Sequence, residues 1–462
     1  MARFTPLTAI LAGTSGQLKE DGLLAMINAV PERRHYSLAC PGCGRRQDDD
    51  GLVLDCAADH PPALLQTEYL EQEFSPRHGQ QGLARYQGWL PVAGIEPGAG
   101  RTAVYRSARL SRALGLPNLW IAFNGYWPER GAFLETATFK ELEAYTVLGR
   151  LPARPVTLTA ASSGNTGAAF AWACSRRQVP CLLVVPGRAL GRLSFPAPLH
   201  PCVRLISIDD GDYPDAIAFV ARLGSGDGVQ PEGGVKNVGR RDGLATVLLA
   251  AYEEMRCLPE FYFQAVGSGT GAIAVHEAAK RLRAGANGLA LPRLMLCQNA
   301  PFTPIYDLWQ ATPRPAGHFR QAIRQVFADE LTNWSPPYAV RGGVHDALTE
   351  SGGEVLLSRN AAAQAAAQLF EDVEGIDIEP AAAVALACLR DAAAGGRLDR
   401  QARVLLNVTG GGRRRASQDL QLVPAQPHLR LTRESLRSAE TADRLAALGV
   451  LGVLGAASAP VV

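Results

Sequence analysis

The stretch Val156-Thr-Leu-Thr-Ala-Ala-Ser-Ser-Gly-Asn-Thr-Gly167 is followed at once by an alanine-rich segment that continues to Arg177. Residues 156–159 are rich in β-branched side chains and predict a strand, whereas residues 168–177 predict a helix. The loop between them aims backbone N–H groups and hydroxyls at the positive end of that helix, which suits a carboxylate or a phosphate. An ordinary turn with a Thr or Asn cap is the alternative interpretation of the loop.

The same alternation of short apolar runs and helical segments recurs from about residue 100 to residue 415. Strands are predicted over 119–123, 156–159, 181–185, 203–207, 261–266, 294–297 and 404–408. Helices are predicted over 137–148, 168–177, 215–223 and 272–283, and residues 311–340 are predicted to be an irregular excursion. Strands that alternate with helices predict an α/β fold whose parallel sheets are covered on both faces.

A second glycine-rich turn follows the strand predicted over 261–266 and reads Gly267-Ser268-Gly269-Thr270-Gly271. Three glycines in five residues let the backbone approach a ligand closely, and a helix begins directly afterwards, as in a phosphate cradle. The turn lacks the Lys-Ser/Thr of a Walker loop, and the third glycine of the dinucleotide fingerprint would fall later.

A third motif, Asn407-Val-Thr409-Gly-Gly-Gly-Arg413-Arg-Arg415, follows the last predicted strand. The carboxyl end of a strand is where open α/β sheets bind ligands. The three arginines are either a solvated basic run or a clamp for an anion.

Lys140 lies within Leu134-Glu-Thr-Ala-Thr-Phe-Lys-Glu-Leu-Glu-Ala-Tyr145, in the first turns of a predicted helix. The positive end of the helix dipole disfavours an ammonium group there and should lower its pKa. A lysine with a lowered pKa is what Schiff-base chemistry requires. An exposed surface lysine is the alternative.

Composition limits the classes of function. The hydrophobic fraction is 47%, which excludes a disordered chain. Lys+Arg 46 against Asp+Glu 44 leaves a net charge of +2, which argues against a nucleic-acid partner. The chain has nine cysteines, and the six after the first three are scattered through apolar segments, which predicts buried thiols in a reducing compartment and a cytoplasmic location. Residues 445–462 carry no charge, but their many small residues argue against a membrane span.

Three of the cysteines form a local group with a histidine near the N-terminus: Cys40, Cys43, Cys56 and His60. This set would suit a tetrahedral structural zinc ion, although Cys-x3-His replaces the usual second Cys-x2-Cys. A metal-free ribbon held by its own packing is the alternative.

Taken in order, the motifs resemble the pyridoxal-phosphate enzymes of fold type II, the group of tryptophan synthase β and threonine synthase. The resemblance covers about residues 100–415. It implies that Lys140 forms the internal aldimine, that Gly267, Ser268, Gly269, Thr270 and Gly271 hold the cofactor phosphate, and that Thr409 faces the pyridine nitrogen. It further implies that Ser162, Ser163, Gly164, Asn165 and Thr166 hold the substrate carboxylate, with Asn165 also against the cofactor ring oxygen.

The pairing of Thr409 with the pyridine nitrogen constrains the chemistry. A hydroxyl does not hold that nitrogen protonated, so the cofactor would be a weaker electron sink. Elimination of a β or γ leaving group remains feasible, whereas transamination is disfavoured.

The resemblance also implies a division of the chain. We expect an N-terminal extension (1–35), a zinc-ribbon-like unit (36–75), a large cofactor-binding α/β domain (85–155 and 235–420), a small α/β domain (156–234) and a C-terminal appendage (421–462).

Within this group the chain is most similar to the cysteate synthases, a branch near threonine synthase. The stretches Phe123-Asn-Gly-Tyr-Trp-Pro-Glu-Arg-Gly131, 134–145 and Gly375-Ile-Asp-Ile-Glu-Pro380 carry this resemblance. Threonine synthases instead have Gly-Ser-Phe-Lys-Asp at the lysine and Gly-Leu-Lys in the late motif. The resemblance implies that sulfite replaces the phosphate of O-phospho-L-serine through an aminoacrylate, with Lys140 as the general base. Both anions require basic residues, and the candidates are Arg106, Lys236, Arg240, Arg241 and Arg413.

Three alternatives stay open. One is threonine synthase acting on O-phosphohomoserine, and another is a cysteine-forming sulfhydrylase. The third is a zinc-ribbon binding module whose α/β part is not catalytic. The resemblance also implies a homodimer that acts on small molecules.

Overall fold

The computed structural model describes residues 34–95, 99–162, 164–223, 228–286, 288–333 and 335–448. The strands are β1 Tyr36–Ala39, β2 Arg46–Gln47, β3 Gln66–Tyr69, β4 Ala103–Arg106, β5 Leu119–Phe123, β6 Tyr126–Trp127, β7 Ala132–Phe133, β8 Thr157–Ala161, β9 Cys181–Pro186, β10 Ser194–Phe195, β11 Val203–Ile208, β12 Val229–Pro231, β13 Phe261–Ala265, β14 Arg293–Ala300, β15 Glu354–Arg359, β16 Val404–Val408, β17 Val423–Pro424 and β18 Leu429–Leu431. The α-helices are α1 Ala108–Leu114, α2 Lys140–Arg150, α3 Asn165–Arg177, α4 Tyr213–Leu223, α5 Val238–Met255, α6 Thr270–Gly285, α7 Pro304–Trp309, α8 Ala316–Ala322, α9 Val344–Ser351, α10 Asn360–Glu374, α11 Pro380–Ala394, α12 Arg413–Asp419 and α13 Ala439–Ala447. Short 3-10 turns cover Gly82–Trp89, Pro128–Arg130, Gly187–Arg192, Gly234–Lys236, Asp329–Leu331 and Ser435–Arg437.

Two sheets with mainly parallel strands organise the chain. The larger has the order β15-β14-β13-β16-β5-β4, and only its edge strand β4 runs antiparallel to its neighbour. The smaller has the order β12-β8-β9-β11-β18 and is parallel throughout. The central strands β9 and β16 are buried at every residue, as expected for strands covered on both faces. The predicted α/β fold with parallel sheets is therefore confirmed.

A three-stranded antiparallel sheet, β2-β1-β3, carries the N-terminal cysteines. It packs on the helices of the larger sheet through buried polar contacts. The side chains of Thr67 and Tyr69 both donate to Asp242 of α5 at 2.6 Å. Arg150 at the end of α2 donates two hydrogen bonds of 2.8 Å to Asp49.

Helix α5 lies in the middle of the core and packs against α2 and α6. It is buried along nearly its whole length, so its sequence shows no polar face. The alanine-rich α11 belongs to the second apolar cluster of the core, where it packs against β13 and β16 of the larger sheet. Small side chains allow this helix to approach the sheet closely.

Some element boundaries differ from those expected. Helices α3 and α6 begin at Asn165 and Thr270, two or three residues before the predicted starts, whereas α2 begins at Lys140 rather than at 137. The late start of α2 follows from Ala137, whose φ of 57° lies outside the helical region. The stretch expected to be irregular contains α8, and β18 from the expected appendage pairs in parallel with β11.

Candidate active site

A cavity of about 420 Å³ lies where the carboxyl ends of strands from both sheets meet. The volume is in the range of small-molecule sites. Its walls include the following predicted residues: Lys140, Ser162, Gly164, Asn165, Thr166, Gly267, Ser268, Gly269, Thr270, Gly271, Arg240 and Thr409. The three glycine-containing motifs and Lys140, which are separated by up to 269 residues, thus line one cavity.

Lys140 is the first residue of α2, and the preceding turn is tied to the end of β16. The backbone N–H of Phe139 donates to the carbonyl oxygen of Thr409 at 3.0 Å. The hydroxyl of Thr138 accepts from the N–H of Lys140 at 3.3 Å. These contacts place the lysine and Thr409 at the same wall of the cavity. The pKa of Lys140 is lowered, mainly because burial disfavours its charged form, and Arg240 acts in the same direction.

A buried carboxylate, Glu143, lies one turn after Lys140. It accepts from Lys140 Nζ at 3.2 Å, from Thr166 Oγ1 at 3.2 Å and from an Nη atom of Arg240 at 2.6 Å. The other Nη atom of Arg240 donates to both carboxylate oxygens of Glu232, at 3.0 and 2.9 Å. Burial disfavours the ionised form of Glu143, but Arg240 and Lys140 outweigh it and hold the pKa of this carboxyl below its ordinary value.

The loop between β8 and α3 presents the start of a helix to the cavity. Ser162 Oγ accepts from the backbone N–H groups of Gly164 and Gly167, at 3.2 and 2.8 Å, and so fixes the turn. The Nδ2 atom of Asn165 donates to Glu379 at 2.7 Å, and its Oδ1 atom accepts from Arg413 at 2.9 Å. Ser163, which was also predicted to bind the substrate, lies outside the described residues.

The turn at 267–271 leaves no room for side chains at its glycines. Gly269 has a φ of 80°, and a Cβ atom on it would lie 2.4 Å from Val344 Cγ2. A Cβ atom on Gly271 would lie 2.5 Å from Gln264 Nε2. The hydroxyls of Ser268 and Thr270 are 2.9 Å apart at the N-terminus of α6. The geometry suits a phosphate group held by a helix N-terminus.

The predicted basic residues separate into two groups. Arg240 lines the cavity, and Arg413 reaches Asn165 while it also donates to Glu379 at 2.6 Å. Three others do not line it: Arg106 donates to the Pro117 carbonyl, Lys236 pairs with Asp55, and Arg241 pairs with Glu277. The expectation that Arg106, Lys236 and Arg241 help to bind the anions has no support in this arrangement, because their side chains are engaged elsewhere.

The sequence analysis missed three lining groups, Tyr213, Glu232 and Glu330, and also the buried Glu143, which contacts lining residues without lining the cavity itself. The sequence could have indicated Glu143, because residues three apart on a helix are neighbours and Lys140 was already a candidate. The other three reach the cavity only through the tertiary fold. The pKa of Glu330 is raised to about 8 by burial and by the neighbouring Glu379 carboxylate.

The N-terminal group predicted to bind zinc does converge. The ligand atoms of Cys40, Cys43, Cys56 and His60 all lie within 4.8 Å of one another. Cys43 Sγ and Cys56 Sγ are 3.7 Å apart, close to the roughly 3.8 Å that tetrahedral zinc with bonds of about 2.3 Å imposes. His60 Nδ1 lies 2.6 Å from the Pro61 carbonyl oxygen, and Nε2 lies 3.3 Å from Cys40 Sγ. A proton on Nδ1 would leave Nε2 free to bind a metal, as in many zinc sites.

Known proteins with similar sequences include pyridoxal-phosphate enzymes and cysteate synthases. Residues 95–410 match the family model described as "Pyridoxal-phosphate dependent enzyme". Cysteate synthase of Methanoculleus marisnigri is 47% identical over 408 residues, which cover 86% of this chain and 94% of the relative. Cysteate synthase of Methanosarcina barkeri is 42% identical over 404 residues, covering 85% and 96%.

Solved structures support the fold. Maize serine racemase has a TM-score of 0.51 at 16% identity, covering 68% of this chain and 88% of that chain. A pyridoxal 5'-phosphate-dependent aspartate racemase has a TM-score of 0.51 at 17% identity, covering 67% and 90%. Among the described residues, no helix combines the length and apolar character needed to cross a bilayer.

Proposed function

Because the chain belongs to the pyridoxal-phosphate dependent enzyme family, we propose that it replaces the phosphate of O-phospho-L-serine with sulfite and releases L-cysteate and phosphate. The relatives of 40–47% identity that bear the name cysteate synthase support this choice of reaction. The observation that carries the proposal is the convergence of Lys140, residues 162 and 164–166, the 267–271 turn and Arg240 on one cavity.

The residues present fit pyridoxal phosphate. Lys140 would hold the cofactor through its amine, and the 267–271 turn would hold the phosphate at the start of α6. The glycines there are required sterically, since a Cβ atom on Gly269 or Gly271 would overlap a neighbouring side chain. Thr409 would offer a hydroxyl to the ring nitrogen. When bound, the cofactor supplies an electron sink that makes the α proton of the amino acid removable.

The chain's own groups then account for substrate binding and proton transfer. Backbone N–H groups at the start of α3, with Asn165 and Thr166, would bind the substrate carboxylate at the positive end of that helix. Lys140, once its amine is free, would take the α proton and return it as general base and acid. Its lowered pKa favours the neutral amine that a base requires.

Arg240 is our candidate for the anionic groups. Among the described residues that line the cavity, Arg240 is the only arginine, and its guanidinium stays charged at any working pH. During the reaction the bond from the β carbon to the phosphate oxygen breaks, and a bond from the β carbon to the sulfite sulfur forms. Arg240 would attract both anions, although Glu143 and Glu232 share its charge.

We also propose that Cys40, Cys43, Cys56 and His60 hold a structural zinc ion. The four ligand atoms lie within 4.8 Å of one another, and a site with four protein ligands would leave no position for a substrate.

The test is product analysis with purified protein and added pyridoxal phosphate. With O-phospho-L-serine and ³⁴S-labelled sulfite, we expect labelled cysteate and phosphate in equal amounts, as measured by mass spectrometry and a phosphate assay. Threonine formed from O-phosphohomoserine, or cysteine formed from sulfide, with no labelled cysteate, would overturn the proposed reaction. No product from any of these substrates, together with no bound cofactor, would overturn the enzymatic assignment of the cavity.

A further inference from the structure

The surroundings of Lys140 contain a charged group that the proposed reaction leaves without a role. Glu143 is completely buried, yet it lies next to a cavity-lining amine. Its three partners come from three elements: Lys140 from α2 itself, Thr166 from α3 and Arg240 from α5. Burying a carboxylate costs desolvation free energy, so a buried carboxylate is normally paired. Here one of its partners is the reactive lysine.

Besides Glu143, the charged side chains that act on Lys140 include Arg240 and Glu232. Arg240 divides its two Nη atoms between Glu143 and Glu232, so Glu232 neutralises part of the guanidinium charge. Tyr213, at the start of α4, lies near Glu232, Arg240 and Glu143 and is neutral because burial raises the pKa of its hydroxyl. Within the described part of the chain, Glu143 is the carboxylate in hydrogen-bond contact with Lys140 Nζ.

We propose that Glu143 is a positioning residue of this enzyme. Its carboxylate holds the side-chain nitrogen of Lys140 beside Thr166 at the cavity wall and, together with Arg240, sets how tightly that nitrogen retains its proton. The inference rests on the proposed function, because it takes Lys140 to be the amine that carries the cofactor and moves the proton.

Glu143 and Arg240 act on the pKa of Lys140 in opposite directions, which makes the inference testable. Glu143 favours the charged form of Lys140, whereas burial and Arg240 favour the neutral form. Removal of the Glu143 charge should therefore lower the pKa of Lys140, and removal of the Arg240 charge should raise it. A carboxylate that only stabilised the fold, without acting on this amine, would leave the pKa of Lys140 unchanged when its charge is removed.

The composition makes the direct measurement practical. The chain has only four lysines, Lys19, Lys140, Lys236 and Lys280. Reductive ¹³C-methylation of the full-length protein, after removal of the cofactor, therefore labels four side chains and the N-terminus. NMR titration of these signals reports each amine, and a Lys140→Arg sample identifies the signal of Lys140.

We expect Glu143→Gln to move the titration midpoint of Lys140 downwards and Arg240→Gln to move it upwards. Glu277→Gln is the matched control, because Glu277 is a buried carboxylate of α6 that pairs with Arg241, whereas Glu143 pairs with Lys140 and Arg240. It should leave the midpoint of Lys140 unchanged. Circular dichroism checks that each variant is folded, and Glu143→Asp, which keeps the charge but shortens the side chain, provides a second and milder downward shift.

A second readout follows the amine as a nucleophile. The neutral amine adds to the aldehyde of pyridoxal phosphate and water leaves, so the rate depends on the fraction of unprotonated Lys140. At neutral pH we expect Glu143→Gln to raise this rate about tenfold, the effect of removing one close opposite charge. Borohydride reduction and peptide mass mapping then identify the modified lysine.

The outcomes separate the two proposals. If the adduct forms on Lys140 but neither Glu143→Gln nor Glu143→Asp moves its titration midpoint, the role of Glu143 is overturned and the proposed function stands. If the adduct forms on another lysine, the proposed cofactor site itself fails, and the inference fails with it.

Discussion

The candidate active-site cavity and the N-terminal cysteine cluster are both built from reactive side chains, but the chain assembles them differently. The cluster takes its four side chains from residues 40–60. The cavity takes its lining from residues 139–409, through loops of two different sheets. A metal-type motif can therefore be local, whereas a site between two sheets depends on the packing of the whole fold.

The two regions touch the same helices but not the same side chains. Helix α2 begins with Lys140 at the cavity and ends with Arg150, which binds Asp49 of the cysteine-containing unit. In α5, Arg240 faces the cavity, while Arg241 donates to the carbonyl of Leu65 and to Glu277. Variants on the cavity side should therefore change chemistry, and variants on the other side should change stability.

The largest effect is expected for Lys140→Ala. Loss of the amine removes the group proposed to hold the cofactor and transfer the proton, so turnover should fall by about 10⁴-fold, the upper range for a positioned acid–base group. Steady-state rates of cysteate formation measure this. The unfolding midpoint in urea should stay close to that of the wild type, and near-normal turnover would contradict the mechanism.

Arg241→Gln should show the opposite pattern. Arg241 is fully buried, and its removal would leave Glu277 without its partner and the Leu65 carbonyl without its donor. Loss of one member of a buried ion pair costs about 3–5 kcal/mol of unfolding free energy, to be measured by urea denaturation. Under conditions where the variant is folded, we expect kcat to change little. A large loss of kcat without a loss of stability would show that the two faces of α5 are not independent.

Cys40→Ser tests the cysteine cluster. We expect bound zinc, measured by elemental analysis, to fall from about one ion per chain to near zero, because a closed site needs all four ligands. The melting temperature should fall by a few degrees, while cysteate formation at low temperature should persist. Cys388→Ser is the control, since this buried cysteine lies in the core of the larger sheet and outside the cluster. Equal zinc content in wild type and Cys40→Ser would contradict the proposed site.

The smallest expected effect is the loss of folding stability at low pH that results from Asp49. Burial disfavours the charged form of Asp49, but Arg150 and Tyr36 outweigh it and hold the pKa of this carboxyl below its ordinary value. Its contribution to stability is therefore full above the ordinary aspartate value of about 3.9 and is lost as the pH falls through the lower folded value. Below pH of about 4, the wild type should lose up to about 1.4 kcal/mol per pH unit more than Asp49→Asn. Denaturation curves at several pH values would reveal this, and parallel curves for the two proteins would contradict it.

Much of the candidate site was predictable because the relevant signals are local. The predicted strands over 119–123 and 404–408 match β5 and β16, and the glycine-containing loops lie where the strand–turn–helix pattern placed them. The helices between residues 344 and 394 were not predicted from the sequence, although α9, α10 and α11 form there. Alanine-rich segments such as 380–394 are buried around the whole helix, so they lack the periodic polar positions that define a helix in sequence.

By itself, the sequence determined the α/β alternation, the glycine turns, the cysteine spacing and the position of Lys140 at a helix start, because each depends on residues close in the chain. The tertiary structure decided which cations face the cavity. Arg240 and Arg241 are neighbours of one residue type, and successive helix residues point about 100° apart. Only the packing of α5 between α2 and α6 turns Arg240 toward Glu143 and Arg241 toward Glu277.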